Sequence, residues 1–512
     1  MPRAGRMAVL AIQEFGGLNI ADPPYALRDN EAQEMWDLVI AESGALKLRG
    51  GYERFGTLGQ QLPIRGLHRF YTPTVTQLLV AAGTGLWVEQ PDGSFVDVVD
   101  RDLPGEIRTR DRVHRFATWD WKQECYAVNG ADRAVKWDGQ TATVLANAPI
   151  AAQHVLVYAN RLWMGNLGLP DGPTTLRWSD LADPESWPAE NMLEVSQPIT
   201  GLLAGFGTTA GVWSQYPSGM LYIFEPGRIE VLVGDGGRET TAGLRVAVDG
   251  VGCVAPNTLC TWAGYAFFLG ADGLYMWDGR NAPREISRKK LGPLLVNLPP
   301  LVREKAWATV ADGKLWLALP RDDSLENRVI YAYDLARQAW LPFRIAATCL
   351  FGTPGNPQED LELLFGDTEG NVWKYRPDLR EDARIPPNPG RPIKGTWRSK
   401  VFVPLEGYVL QFRHFRMELK ASDADTFVNW TVDYGRAAGA FTFSARVAAE
   451  SLWDLMLWDD GYWADESATL QLYRGSFPMQ AQGRTIEFEM TMQGDGGWQG
   501  LQVLGYPVRE LR

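Results

Sequence analysis

The stretch LGADGLYMWDG, residues 269–279, sets an Asp-Gly pair ahead of a short run of strand-favouring residues and closes on a second Asp-Gly. Aspartate and glycine reach turn conformations that most residues adopt only at a cost, and the aromatics between them fill a pleated surface. The segment is therefore expected to be the tip of a β-hairpin followed by a second turn. Similar units recur along the chain. QLLVAAGTGLWVEQPDGSFVDVV alternates strand and turn, and RFATWDWKQECYAVNGADRAVKWDGQTATVL repeats the plan with Trp137-Asp138-Gly139 in its last turn. KAWATVADGKLWLALP leads to RVIYAYDLARQAWLPF, with Tyr333-Asp334 before the last strand, and LELLFGDTEGNVWKYRPD adds another hairpin. Strands in groups of about four, repeating every ~40–60 residues, are the signature of propeller blades. The count is six or seven irregular blades, and six is favoured because residues 190–255 divide poorly.

Composition is consistent with this. Apolar residues make up 45% of the 512 positions and charged residues 22%, with 21 tryptophans and 53 glycines. That is the material of a globular, antiparallel all-β chain. The formal charge of −12 argues against a protein that grips nucleic acid by releasing counterions. It permits one that lets DNA slide past acidic walls. Cys125, Cys253, Cys260 and Cys349 include no Cys-x-x-Cys pair, so reduced thiols are expected and no zinc site. No apolar run approaches the ~18 residues of a membrane span, and the N-terminal apolar run is too short for a signal peptide.

Two regions differ from the repeats. In DNEAQEMWDLVIAESG, Ala32, Met35, Trp36, Val39 and Ile40 follow the i, i+3, i+4, i+7, i+8 spacing, which predicts a helix near 30–43 capped by Asp29 or Asn30 and stopped at Gly44. DLREDARIPPNPGRPIKG is charged and proline-rich and reads as a linker. After it, Phe415, Met417 and Leu419 alternate with His414, Arg416, Glu418 and Lys420, and two later runs behave alike, as half-buried strands of a β-sandwich do. The expected organisation is an N-terminal assembly segment at 1–60, a propeller at 61–378, a linker at 379–394 and a sandwich at 395–512.

Signals for catalysis are weak. His68, His114, His154 and His414 show no metal-binding spacing and are expected to be surface or satisfied side chains. No nucleophile elbow, phosphate-binding loop or dinucleotide fingerprint occurs. The turn GDTEGNVW, 366–373, and the pair Asp459-Asp460 have structural or solvated readings. No catalytic residue, cofactor or metal is expected.

The opening FGGLNIADPPYALRDNEAQEMWDLVIAESGALKLRGGYERF, residues 15–55, resembles the start of virion proteins of tailed bacteriophages, with Gly44, Leu46, Arg49 and Gly51 as its closing Gly-x-Leu-x-x-Arg-x-Gly segment. The resemblance continues through NGADRAVKWDG, RLWMGNLG, LRWSDLADPESW, GVGCVAPNTLCTWAGYAFFLGADGLYMWDG, GTWRSKVF and FRHFRMELK. The family is the tail nozzle or head-to-tail hub proteins of short-tailed double-stranded DNA phages, including packaged-DNA stabilisation proteins. The resemblance implies a propeller in a homohexameric ring below the portal and adaptor rings, extending the channel by which DNA leaves the virion. It implies partners in the adaptor ring and in tail fibres or a spike, passage of DNA without sequence-specific binding, no stable membrane insertion, and a chain made in the host cytoplasm. Phe15, Gly16, Gly17, Asn19, Trp36, Leu46, Arg49 and Gly51 are the candidate assembly residues. The Trp36 stripe has two readings, core or interface. A competing function is a carbohydrate-binding tail adhesin, with Trp453, Trp458, Tyr462 and Trp463 of loop 451–465 stacking on sugars.

Overall fold

The computed structural model describes residues 7–204, 220–237, 243–321, 326–353, 362–446 and 471–510. Seven four-stranded antiparallel sheets follow one another. Blade one runs from Ile64–Tyr71 to Phe95–Asp97, blade two from Arg115–Trp119 to Ala142–Val144, and blade three from His154–Tyr158 to Met192–Glu194. Blade four runs from Gly201–Ala204 to Leu244–Asp249, blade five from Cys260–Trp262 to Arg284–Glu285, and blade six from Trp307–Ala311 to Ala339–Phe343. Blade seven takes three strands from Cys349–Thr353 to Asn371–Arg376, and its fourth, outer strand is Gly51–Thr57. The fold is a seven-bladed β-propeller. The lean toward six blades is corrected: residues 190–255 hold all four strands of blade four, and the last blade borrows a strand from more than three hundred residues upstream.

The stretch 269–279 lies where its residues place it. Tyr265–Leu269 and Leu274–Trp277 pair across the Asp272-Gly273 turn. Asp278 then accepts the backbone amides of Arg280 and Asn281, turning the chain into the last strand of blade five. Asp138 does the same for Gln140 and Thr141, and Asp334 for Ala336 and Arg337, each between the third and fourth strands of its blade. Asp367 accepts from Glu369, Asn371 and the Trp373 indole, so the 366–373 turn is structural too, although it joins the second and third strands.

The predicted helix at 30–43 is absent. Ala32–Trp36 and Leu38–Ile40 are strands, separated by Asp37 with φ of 57°. A register shift between Ala32 and Glu34 displaces the alternation by one residue, and Leu38, Val39 and Ile40 are all buried. A bulge followed by a two-sided buried run reproduces helical spacing without a helix. Among the described residues the longest helix is Arg288–Asn297, after blade five, which places Lys290 against Glu31.

The C-terminal region is one nine-stranded sheet that also takes Ala8–Ile12, Ala32–Trp36, Leu38–Ile40 and Leu46–Leu48 from the N-terminus. At its centre, the 25-residue strands Tyr408–Val432 and Ile486–Glu510 pair antiparallel. Phe415 and Trp430 lie on one of them, about fifteen residues or roughly 50 Å apart if extended. Trp430 pairs with Phe488, yet the Phe415 and Phe488 rings are 5.1 Å apart. The sheet therefore doubles over, helped by register shifts at 412/414, 418/419 and 421/423. The expected two-layer packing is reached by folding one sheet, not by stacking two. Phe415, Met417 and Leu419 point into it.

Candidate functional site at the propeller–sheet junction

The eight residues singled out from the opening motif gather where the propeller meets the sheet. Phe15 is buried with its ring edge-on to Trp397 at 5.4 Å. Gly17 lies against blade six: a Cβ there would stand 2.7 Å from the Trp340 carbonyl oxygen, and the next residue, Leu18, donates its amide to that oxygen. Gly16 is similarly close to the Asn30 carbonyl. Asn19, buried, accepts the amides of Ala21 and Asp22 through Oδ1 and donates through Nδ2 to Asp22 and Glu31. Glu31 in turn pairs with Lys290 of the helix after blade five. Leu46 is fully buried opposite Trp498. Gly51 starts the outer strand of blade seven with its α-carbon against the Glu381 carbonyl, a space no side chain fits.

Arg49 is the centre of the arrangement. It is 1% exposed. Nε donates to Asp37 at 2.7 Å, Nη1 to Asp382 and to the Gly50 carbonyl, and Nη2 to Asp382 at 2.6 Å. Burial alone would lower its proton affinity, but the Asp382 bonds and the Asp37 charge more than reverse this and raise it. Asp37 also accepts the backbone amide of Arg344 at 2.9 Å and its guanidinium at 3.2 Å. The left-handed turn at Asp37 aims its carboxylate inward. The segment 379–394 is thus more than a tether. It carries the hairpin Glu381–Asp382 with Arg391–Pro392, clamped to Arg49. Trp36 is half-buried under the guanidinium groups of Arg344 at 5.2 Å and Arg321 at 5.8 Å. Asp37, Asp382, Arg344, Trp340 and Trp397 carry no local motif, and only their partners reveal them.

Three of the four histidines are interior; His68 and His114 are hydrogen-bonded, as expected of satisfied side chains, and His154 departs from that expectation. His414 is exposed on its strand, but His68, His114 and His154 line the central channel of the propeller. His68 stacks on Phe116 with ring centroids 5.3 Å apart, and its Nε2 lies 2.7 Å from the Thr118 hydroxyl. His154 Nε2 is buried with no hydrogen-bond partner, so it is neither superficial nor satisfied. The four cysteines are free, and burial pushes each thiol up to about 12. Among the described residues no group of His, Cys, Asp and Glu is placed to hold a metal ion. Loop 451–465 and the Asp459-Asp460 pair lie outside the described residues.

No family model matches the chain, and no curated protein sequence matches it. Among solved structures, the chain is similar to YCF48 from Cyanidioschyzon merolae at 10% identity and a TM-score of 0.40, over 64% of this chain and 99% of that one. The propeller assignment rests on the chain's own seven sheets.

The channel histidines make stability depend on pH. Burial pushes the His68 imidazole down to about 4 from its ordinary 6.5. The folded state therefore resists a proton that the unfolded chain accepts, and stability falls as pH drops from ~6.5 toward ~4. At pH 5 this amounts to roughly 2 kcal/mol for His68. Urea unfolding at pH 7 and pH 5 should show that much less loss in His68→Gln than in the parent. Equal losses in the two proteins would refute the assignment.

Proposed function

We propose that the chain is a structural subunit of a short-tailed phage tail, one of six in a nozzle or hub ring that extends the DNA channel below the portal and adaptor. The ring retains packaged DNA and passes it during ejection, without turnover of a substrate. The adaptor ring is the proposed neighbour above, and fibres or a spike are proposed attachments. The observation that carries this reading is the outer face of the sheet. Among the described residues, the edge strand Ala8–Ile12 pairs on one side only, with Leu501–Gly505. Val9 stands opposite Leu504, which is buried, and one alternation from Tyr506; Val9, Tyr506 and Val508 are all exposed. An open edge beside an apolar stripe is a surface made for another subunit. The clamp at Arg49 holds that surface rigidly to the propeller, which suits a wall segment that must keep its shape around a moving polyelectrolyte. Six copies of a −12 chain give a strongly acidic assembly in which phosphates linger little.

Electron microscopy and solution mass of the purified protein test the proposal. A six-fold ring is expected, and Val9→Asp with Val508→Asp should give folded, monomeric protein. A parent chain that remains monomeric at all concentrations, with no ring on grids, would overturn it.

A further inference from the structure

The innermost strands of all seven blades surround a cavity of about 340 Å³, at the lower end of the range for small-molecule sites. Arg115 opens the innermost strand of blade two and lines this cavity. Its Nη1 donates to the Gln153 carbonyl at 3.0 Å and its Nη2 to Asn257 Oδ1 at 2.6 Å, both neutral acceptors. Among the described residues no carboxylate pairs with it. Two of its five N–H groups are used, and three remain. Beside it, His154 is 3% exposed, lines the same cavity, and holds its Nε2 without a partner. Asn257, committed through its oxygen to Arg115, keeps its amide nitrogen as a donor.

A half-buried cation held only by neutral oxygens is unfavourable unless something supplies the missing charge. The surroundings feel this: burial lowers Arg115 to about 10, and burial together with the Arg115 charge drives His154 well below its ordinary range. Elsewhere the chain surrounds Arg49, the most buried guanidinium among the described residues, with two carboxylates. At Arg115 the complementary charge has a cavity in its place.

We infer that the propeller channel binds a small oxyanion, a phosphate or a carboxylate whose paired oxygens match the free edge of the Arg115 guanidinium, with His154 and Asn257 as flanking polar groups. The guanidinium fork favours two-oxygen anions over chloride. This inference stands apart from the ring proposed above, since it needs only the folded subunit.

Calorimetric titration and thermal unfolding of the full chain, at constant ionic strength, test it with sodium phosphate, sodium acetate and sodium chloride. Saturable binding of phosphate or acetate is expected with Kd of about 1 mM or tighter, together with a rise in Tm that follows ligand concentration. Whichever of the two binds more tightly identifies the source chemistry. Arg115→Lys, which keeps the charge but loses the fork, should weaken binding about tenfold, and Arg115→Met should abolish it. Arg474→Met, at an exposed ion pair on the sheet, should bind as the parent does. If Arg115→Met does not fold, His154→Ala serves in its place, with weaker binding expected. No saturable binding to the parent, or unchanged binding in Arg115→Lys and His154→Ala, would overturn the inference.

Discussion

Replacing Arg49 with methionine is expected to destabilise the protein by about 3–5 kcal/mol, because it takes the shared cation from the buried Asp37 and the half-buried Asp382. Asp37 and the Asp382 hairpin both depend on it, and neither has an equivalent second partner. Asp37 keeps Arg344, but Asp382 keeps no guanidinium, since Arg49 is the one ion pair found for it among the described residues. The triple variant Arg49→Met, Asp37→Asn, Asp382→Asn should recover part of the loss, since the uncompensated charges go with the cation. Urea unfolding followed by tryptophan fluorescence reads both. The sheet and blades six and seven should also come apart at lower denaturant than blades two to four, as the clamp is their shared tie. A loss below about 1 kcal/mol in Arg49→Met, typical of an exposed pair, would show that the network carries little of the junction.

Removing residues 1–57 is expected to leave no folded monomer. The deletion takes the outer strand of blade seven and four strands of the sheet. It strips Phe15, Met35, Leu38, Leu46 and Leu48 from one continuous apolar core that reaches from Trp340 to Trp397 and Phe488. Each large side chain contributes about 1.5–3 kcal/mol, so five of them approach the whole 5–15 kcal/mol stability of an ordinary domain. The truncated chain should lose its near-ultraviolet circular dichroism and bind hydrophobic dye. A segment serving only as an assembly arm would behave otherwise: the remainder would fold, unfold cooperatively and merely fail to form rings. That outcome would contradict the placement of the N-terminal strands.

These two experiments fall where local sequence says least. The Trp-Asp-Gly turns are legible because the aspartate binds amides two and three residues on, and the aromatic strands flank it directly. The alternation of Phe415, Met417 and Leu419 is legible for the same reason. The blade count is not, because Gly51–Thr57 finds its place beside Asn371–Arg376, and nothing in either stretch names the other. The helix expected at 30–43 fails through a single bulge at Ala32/Glu34, which shifts a period of two into an imitation of 3.6. At the junction, Gly17, Arg49 and Gly51 stand out in the opening motif, but Arg49 meets Asp382 across 333 residues. In the channel, Arg115 looks like any strand residue until the blades are phased and its strand proves innermost.

The closing strand of blade seven has a consequence for synthesis. Gly51–Thr57 leaves the ribosome early and has no partner until Asn371–Arg376 follows. At about 5–20 residues per second, that interval is roughly 15–60 s. Throughout it the nascent polypeptide carries an unpaired edge, with Ala8–Ile12 waiting longer still for Leu501–Gly505. Blade seven therefore cannot close before residue 376 has been made, and its vulnerable period is set by elongation speed and by whatever shields the waiting strand in the meantime.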